Sequence, residues 1–415
     1  MAEPKDPSDV LRVLPPQGAP VPLRYVEEKG RYLVIPTGEG SAWSTAALRT
    51  GGAEVERAPG GIVPCHAELL TRPEELERAR AAFRRKYGEE LWERHFASST
   101  KVLALDPGRP KGPPLDPVAM ALQEFEAVSS RYSEVNLRNP FARRLKRRSV
   151  ERMLPLFRDR GRLLEIGGGT GLETLPLLQA GHRVTVVDLS PRMLEELRSR
   201  AEAAGLGKGL ETVEGRLGEL EEVLADRPPG SFEGAFSTFG AMNLEPELAS
   251  VPRALHRALR PGAPLFLGVL GPAPVVAQAF EVAARKPRQA AARLAHLIPA
   301  GALANTLDLH VPRLAELQEL FRSRFQLERV EAASLLSPPW PSPRLLSMFS
   351  SSGLDLLDRW DRSLSRTWPW AHLGEWLFLT FRRTLDPAEG AGAPSAPPGP
   401  TEGARTVRGP TDVAS

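Results

Sequence analysis

The sequence predicts an α/β protein: a parallel sheet covered on both faces by helices, preceded by a small β-rich domain and followed by a disordered tail. Three observations carry this. From about residue 118, short apolar runs alternate with helix-length segments, the order expected of parallel strands joined by crossover helices. A glycine cluster sits between one of those runs and the next helix. Proline-rich stretches, above all 106–117 (DPGRPKGPPLDP), separate this block from what precedes it. A chain of 415 residues has room for about two or three domains and a large core.

Residues 1–22 carry Pro4, Pro7, Pro15, Pro16, Pro20 and Pro22 and read as a disordered lead-in. The block 23–105 opens on strand-like runs at 31–36 (RYLVIP) and 53–63, punctuated by Gly38, Gly40, Gly51 and Gly52. A helix is expected over 73–87, which begins with Pro and acids and ends basic, as the helix dipole favours. Residues 100–105 (TKVLAL) close this small β-rich domain, and 106–118 is its linker to the next. In 119–384, helical segments near 118–129 and 141–157 lead into the apolar run 162–166 (RLLEI) and the glycines. A helix at 172–180, a second run at 183–188 (RVTVVD) and a helix at 191–204 follow. Strands at 234–237 and 265–269 flank a helix at 251–259, and 325–331 and 375–381 read as a late hairpin-like pair closing the sheet. Beyond 385 large apolar residues nearly vanish, too few to offset the entropy of ordering, so 385–415 reads as a disordered tail.

Charge and cysteine usage exclude several classes. The net charge of +3 and a basic excess that is mostly arginine, spread along the chain, give no basic patch and no expectation of a nucleic-acid partner. A single cysteine, Cys65, excludes an internal disulfide and a cysteine-based metal cluster, and no metal is expected. The uncharged stretch 261–280 has the length of a membrane span, yet Pro261, Pro264, Pro272 and Pro274 interrupt it, so it reads as a buried strand plus loop. With no basic-then-apolar leader at the N-terminus, the protein is expected to be cytoplasmic.

The chemistry is concentrated in 164–171 (LEIGGGTG). Gly167, Gly169 and Gly171, placed between a strand and a helix, let the backbone approach a ligand at the positive end of the helix dipole. The next strand ends in Asp188, and 188 − 167 = 21, close to the offset of about 20 at which an acid reaches ribose hydroxyls. The spacing is G-x-G-x-G, not the dinucleotide G-x-G-x-x-G. Glu165 just ahead of the loop suits a cationic ligand better than a pyrophosphate, which it would repel. An NAD-dependent oxidoreductase remains the alternative on glycine-loop logic alone.

These residues resemble a known family, the class I S-adenosylmethionine (SAM)-dependent methyltransferases. The stretch 164–171 is similar to the family's first motif, 186–190 (VVDLS) to the second and 231–243 (SFEGAFSTFGAMN) to the fourth. HRALRPG at 256–262 matches the leader to the fifth strand. The resemblance covers 119–384 and implies a Rossmann-like seven-stranded sheet, SAM as cofactor and methyl transfer by in-line displacement. It also implies roles: Glu165 and the backbone of Gly167, Gly168, Gly169 and Gly171 for the methionine end, Asp188 for the ribose, Leu189 and Met193 beside the adenine. Thr238 would lie beneath the sulfonium, and Tyr132, read as part of a loop, would cap the cofactor. Arg216 stands where the family usually has an acid bonding the adenine amino group, which leaves the backbone near Leu217 for that task. A methyltransferase fold that binds without turning over is a further alternative, with Arg216 its sequence hint.

The acceptor is expected to be a small molecule or lipid-like. The fourth strand lacks the N-P-P-Y or D-P-P-Y run of amino-methylating DNA enzymes, residues 119–384 hold no cysteine for a covalent cytosine-5 mechanism, and no double-glutamate loop points to arginine methylation. Asn243 and His310 (in DLHVP, 308–312) are the substrate-side candidates, while His256 reads as structural; no catalytic base is assigned. The basic segment 284–296 reads as a solvated helix face, and Trp340, Trp360, Trp368, Trp370 and Trp376 as packing of the C-terminal elements. The first block resembles small split β-barrels of the flavin- or deazaflavin-binding, pyridoxamine-phosphate-oxidase-like type. It lacks their phosphate-gripping segment, so docking or dimerisation is expected of it. Cys65 beside His66 has no visible third partner and is not read as a nucleophile.

Overall fold

A computed structural model describes residues 10–14, 20–36, 42–57, 61–96, 101–113, 115–271, 297–299, 308–336 and 350–385. The expectations for 284–296, Trp340 and the tail from 386 onward lie outside these residues.

The first block is a closed six-stranded antiparallel barrel. Its strands are β1 (Val10–Leu14), β2 (Val21–Glu28), β3 (Arg31–Val34), β4 (Gly52–Arg57), β5 (Ile62–Leu69) and β6 (Leu103–Asp106), in the order β1-β2-β3-β6-β5-β4. Helix α1 (Ala42–Arg49) joins β3 to β4, and α2 (Pro73–Leu91) lies between β5 and β6. The barrel starts earlier than composition suggests. Val10–Leu14 falls within the expected lead-in, yet it pairs with both β2 and β4, and Leu11 and Val13 fill the barrel interior at 0% and 1% exposure. Prolines on either side hid a strand whose buried Leu11 and Val13 flank an exposed Arg12, as a half-buried strand requires. The proline-rich linker is equally well placed: Gly112 donates its N–H to the Gly51 carbonyl at 2.8 Å, folding the segment back on the barrel.

The second block opens with α3 (Pro117–Arg138) and α4 (Pro140–Leu156), then β7 (Arg162–Ile166), α5 (Thr174–Gln179), β8 (Arg183–Asp188), α6 (Pro191–Ala203) and β9 (Leu210–Glu214). It continues through α7 (Leu220–Val223), β10 (Gly234–Ser237), α8 (Ala241–Leu244), α9 (Val251–Ala258) and β11 (Pro264–Leu270). The short strands β12 (Leu297–Pro299) and β13 (Asp308–His310) pair with each other, and α10 (Leu314–Phe321), β14 (Phe325–Ala333), α11 (Ser351–Leu364) and β15 (Trp376–Arg383) complete it. The seven-stranded sheet runs β14-β15-β11-β10-β7-β8-β9. The five strands from β9 to β11 are parallel, and β15 inserts antiparallel between β11 and β14. The late strand pair expected from the sequence is this β14–β15 edge.

Both faces are covered. On one, Leu255, Phe321, Phe325 and Phe381 pack with strand residues such as Leu164 and Leu265; on the other, Met153, Phe157, Leu177 and Leu197 cover Val184 and Phe236. Each such side chain contributes about 1.5–3 kcal/mol on burial. Arg148, 2% exposed, ties α4 to the far edge through Glu331 of β14 (2.8 Å) and Asp361 of α11. Burial alone would raise the Glu331 carboxyl, but the guanidiniums of Arg148, Arg152 and Arg366 outweigh it and hold the group at about 2. His256, read as structural, is buried with its ring edge-on to Phe325. Among the described residues no helix is long and apolar enough to cross a membrane.

The chain order reverses between β7 and β10, whose neighbours β8 and β11 lie on opposite sides. A crevice opens there at the carboxyl ends of the strands, the usual ligand position in an open α/β sheet.

Candidate active site

Leaving β7, the chain turns through Gly167, Gly168 and Gly169 before α5. Gly169 sits at φ +53°, where a Cβ would point towards the Tyr132 ring 4.0 Å away, and its N–H donates to Asp188 Oδ2 at 2.7 Å. Gly171 serves a different end. At φ +80°, a Cβ there would stand 2.2 Å from Leu197 Cδ1, so glycine is needed for the loop to lie against α6. The crevice above the loop spans about 880 Å³ with its open mouth counted in, and it opens to solvent.

The candidates gather unevenly around it. Tyr132, Gly167, Gly168, Gly169, Asp188, Leu189, Met193, Leu217 and Thr238 all line the cavity. Tyr132 does so from within α3, not from a loop: its segment RYSEVN continues the helix that began at Pro117. Glu165 and Gly171 lie under the lining. Glu165, 1% exposed, accepts a hydrogen bond from Thr174 Oγ1 at 2.5 Å, and burial pushes its carboxyl up to about 8. Asp188 is also raised by burial, opposed by the N–H groups of Ser190 and Gly169 that its two oxygens accept.

Asn243 does not belong to the cavity wall. It is 0% exposed and its Oδ1 accepts the Leu270 N–H at 3.1 Å, which fastens α8 to the end of β11. His310 falls in β13, its side chain outside the described residues. Trp360, Trp368 and Trp370 are exposed, at 58%, 84% and 41%, contrary to the packing expected of them, whereas Trp376 packs edge-on against Phe239. Cys65 is fully buried, and burial pushes its thiol up to about 12.

Several lining residues escaped sequence reasoning. Lys146 and Glu173 form a buried ion pair at 3.1 Å on the cavity wall, and Lys146 Nζ stands 4.1 Å from the Phe239 ring centre. Phe239 holds φ +56°, a left-handed conformation unusual for an aromatic residue and one that concentrates at functional sites. Lys146 sits in the basic run 143–148 (RRLKRR), where nothing local sets it apart from its neighbours. Arg216, the departure from the family pattern, is clamped on Glu245 by two 2.9 Å bonds, and Glu245 also accepts the Gly218 N–H at 3.0 Å. An acid thus reaches this end of the cavity from α8's far end, carried by the arginine; only the fold brings the two together.

Residues 163–262 match the model of a methyltransferase domain family. Ubiquinone biosynthesis O-methyltransferase of Xanthomonas euvesicatoria pv. vesicatoria is 30% identical over 190 residues, 45% of this chain and 70% of that protein. The enzyme of the same name from Xanthomonas oryzae pv. oryzae is 30% identical over 186 residues, with the same coverage. Among solved structures, a SAM-dependent methyltransferase from Mesorhizobium loti aligns over 58% of this chain and 98% of its own, at 20% identity and a TM-score of 0.38. With its sheet order, its glycine loop, the matching family model and the Xanthomonas relatives, the chain belongs to the class I SAM-dependent methyltransferases. The barrel that precedes its sheet fits the split-barrel type that the sequence resembles.

Proposed function

We propose that this methyltransferase uses SAM and that its acceptor is a small molecule or lipid-like compound, methylated by in-line displacement. The observation that carries the reading is Asp188, a carboxylate at the end of β8, facing the cavity beside the Gly169 N–H, with apolar Leu189, Met193 and Leu217 further along the wall. That donor and acceptor set fits a nucleoside. Asp188 accepts from a ribose diol, Leu189 and Met193 flank a purine, and the backbone near Leu217 meets the purine edge. The loop from Gly167 to Gly169 holds a methionine end over the buried Glu165, Thr238 lies below, and Tyr132 covers the loop.

SAM, when bound, supplies a methyl group already activated by its sulfonium. The protein must therefore align an acceptor atom about 3–3.5 Å away and keep water out. Phe125, Val118 and Leu244 make the cavity's apolar flank and serve that exclusion. Lys146 and Glu173 neutralise each other and are not offered as a catalytic acid or base. The named activity of the Xanthomonas relatives, an O-methylation in ubiquinone biosynthesis, supports a hydroxylated acceptor with an apolar body.

Calorimetry with SAM, S-adenosylhomocysteine and NAD tests the cofactor reading. Binding of the first two without NAD is expected; tight NAD binding with neither of the others contradicts it. Mass spectrometry for products heavier by one methylene, over hydroxylated aromatics with apolar chains of increasing length, tests the acceptor class. Intact SAM binding without turnover across that panel would favour a binding protein instead.

A further inference from the structure

We infer that the barrel is part of the cofactor-binding apparatus, and that Glu126 and Arg192 are positioning residues holding Asp188 where a ribose diol meets it. This rests on the reading of the cavity as a SAM site.

Helix α3 lies between the two halves. Its Ala121 and Phe125 line the cavity, while Met120, Ala121 and Ala127 share one apolar cluster with barrel residues Leu11, Val34 and Trp43. At the mouth of β6, Lys101 and Glu124 of α3 form an ion pair, both nearly buried, at 2.5 Å. The wall of the cavity is therefore continuous with the barrel core, and an ordinary spacer domain would leave no such seam.

A run of hydrogen bonds crosses the same seam. Arg192 donates through Nη1 to the carbonyl of Thr71, in the segment that leads from β5 into α2. Its Nε stands 2.9 Å from Glu126 Oε2. Glu126 Oε1 accepts from Ser190 Oγ at 2.5 Å and from the Arg192 N–H at 3.2 Å. Ser190 in turn donates its N–H to Asp188 Oδ1 at 2.9 Å and accepts the N–H of Met193, which lines the cavity, at 3.2 Å. Ser190 Oγ caps α6 through the Met193 N–H, and Glu126 takes another free first-turn N–H, that of Arg192. Beyond that capping, the Glu126 bond to Ser190 Oγ and the Arg192 bond to Thr71 fix Ser190, and with it one oxygen of Asp188, to the barrel. Glu126 also adds negative charge beside Asp188, in the sense that raises its carboxyl.

The test uses the full chain and two ligands, S-adenosylhomocysteine and its analogue lacking both ribose hydroxyls, titrated into wild type, Glu126→Gln, Arg192→Lys, Asp188→Ala and Glu126→Gln/Asp188→Ala. Lysine keeps a charge near Glu126 but cannot also span to Thr71. The preference for the hydroxylated ligand should fall about tenfold in Glu126→Gln and a few-fold in Arg192→Lys. It should fall no further when Glu126→Gln is added to Asp188→Ala, because both act on one contact. The proposal is overturned if Asp188→Ala abolishes the preference while both single variants keep it, or if they weaken the two ligands equally, as a merely structural role would. If Asp188→Ala itself leaves the preference intact, the SAM reading fails and takes this one with it.

Discussion

Two acids meet the glycine loop from opposite sides, and the protein treats them differently. Asp188 has both oxygens occupied by backbone N–H groups, of Gly169 at 2.7 Å and Ser190 at 2.9 Å. Glu165 lies deeper, 1% exposed, with the Thr174 hydroxyl as its donor. Backbone amides do not move or titrate, so Asp188 is a fixed acceptor set by the fold. Glu165 is an acid held in a dry place, costly to ionise until a cation arrives. One end of the site is preorganised geometry; the other is stored electrostatics.

The largest effect expected from this contrast is on stability. A carboxyl raised from 4.5 to about 8 keeps its proton in the folded chain while the unfolded chain releases it. The share of the ligand-free protein's stability that Glu165 governs is therefore full below pH 4.5 and is lost as pH rises towards 8. Glu165→Gln should remove that slope and stabilise the free protein at pH 8 by a few kcal/mol, read by denaturant unfolding across pH. An unchanged slope would make Glu165 an ordinary ionised acid.

The same group gives the next effect. A ligand amine favours ionised Glu165, so SAM affinity should rise with pH by up to about tenfold per unit below 8, then level, and Glu165→Gln should flatten the profile. Parallel profiles for the two proteins would separate Glu165 from the ligand altogether.

Asn243→Ala sharpens the contrast from outside the cavity. Removing the acceptor of the buried Leu270 N–H should cost about 1–3 kcal/mol of stability and leave SAM affinity unchanged. A loss of affinity instead would return Asn243 to the site. Smallest is Thr174→Val, which takes the hydroxyl donor from Glu165, pushes its carboxyl further up and costs about 1 kcal/mol. The pH profile of SAM binding should shift upward with it.

The sequence makes the Asp188 end readable because local spacing alone builds it: a strand, three glycines, a second strand and an acid at its end. Glu165 was equally visible, but its burial was not, since that depends on Thr174 and on the loop folding over it. Lys146, Glu173 and the Arg216–Glu245 clamp lie far apart in the chain and meet only through tertiary packing. Barrel strands could be recognised from alternation, yet β1 was masked by flanking prolines, and no pattern in α3 announces that Glu126 will meet Ser190. Tyr132 reads as a loop residue in the sequence because RYSEVN is polar enough to pass for one, while helix α3 runs through it.

The most direct test is a calorimetric titration of S-adenosylhomocysteine into wild type and Asp188→Ala, each confirmed folded by its thermal transition. Loss of two charge-assisted hydrogen bonds to the ribose predicts binding weaker by about a hundredfold. Equal affinity for the two proteins would contradict the account.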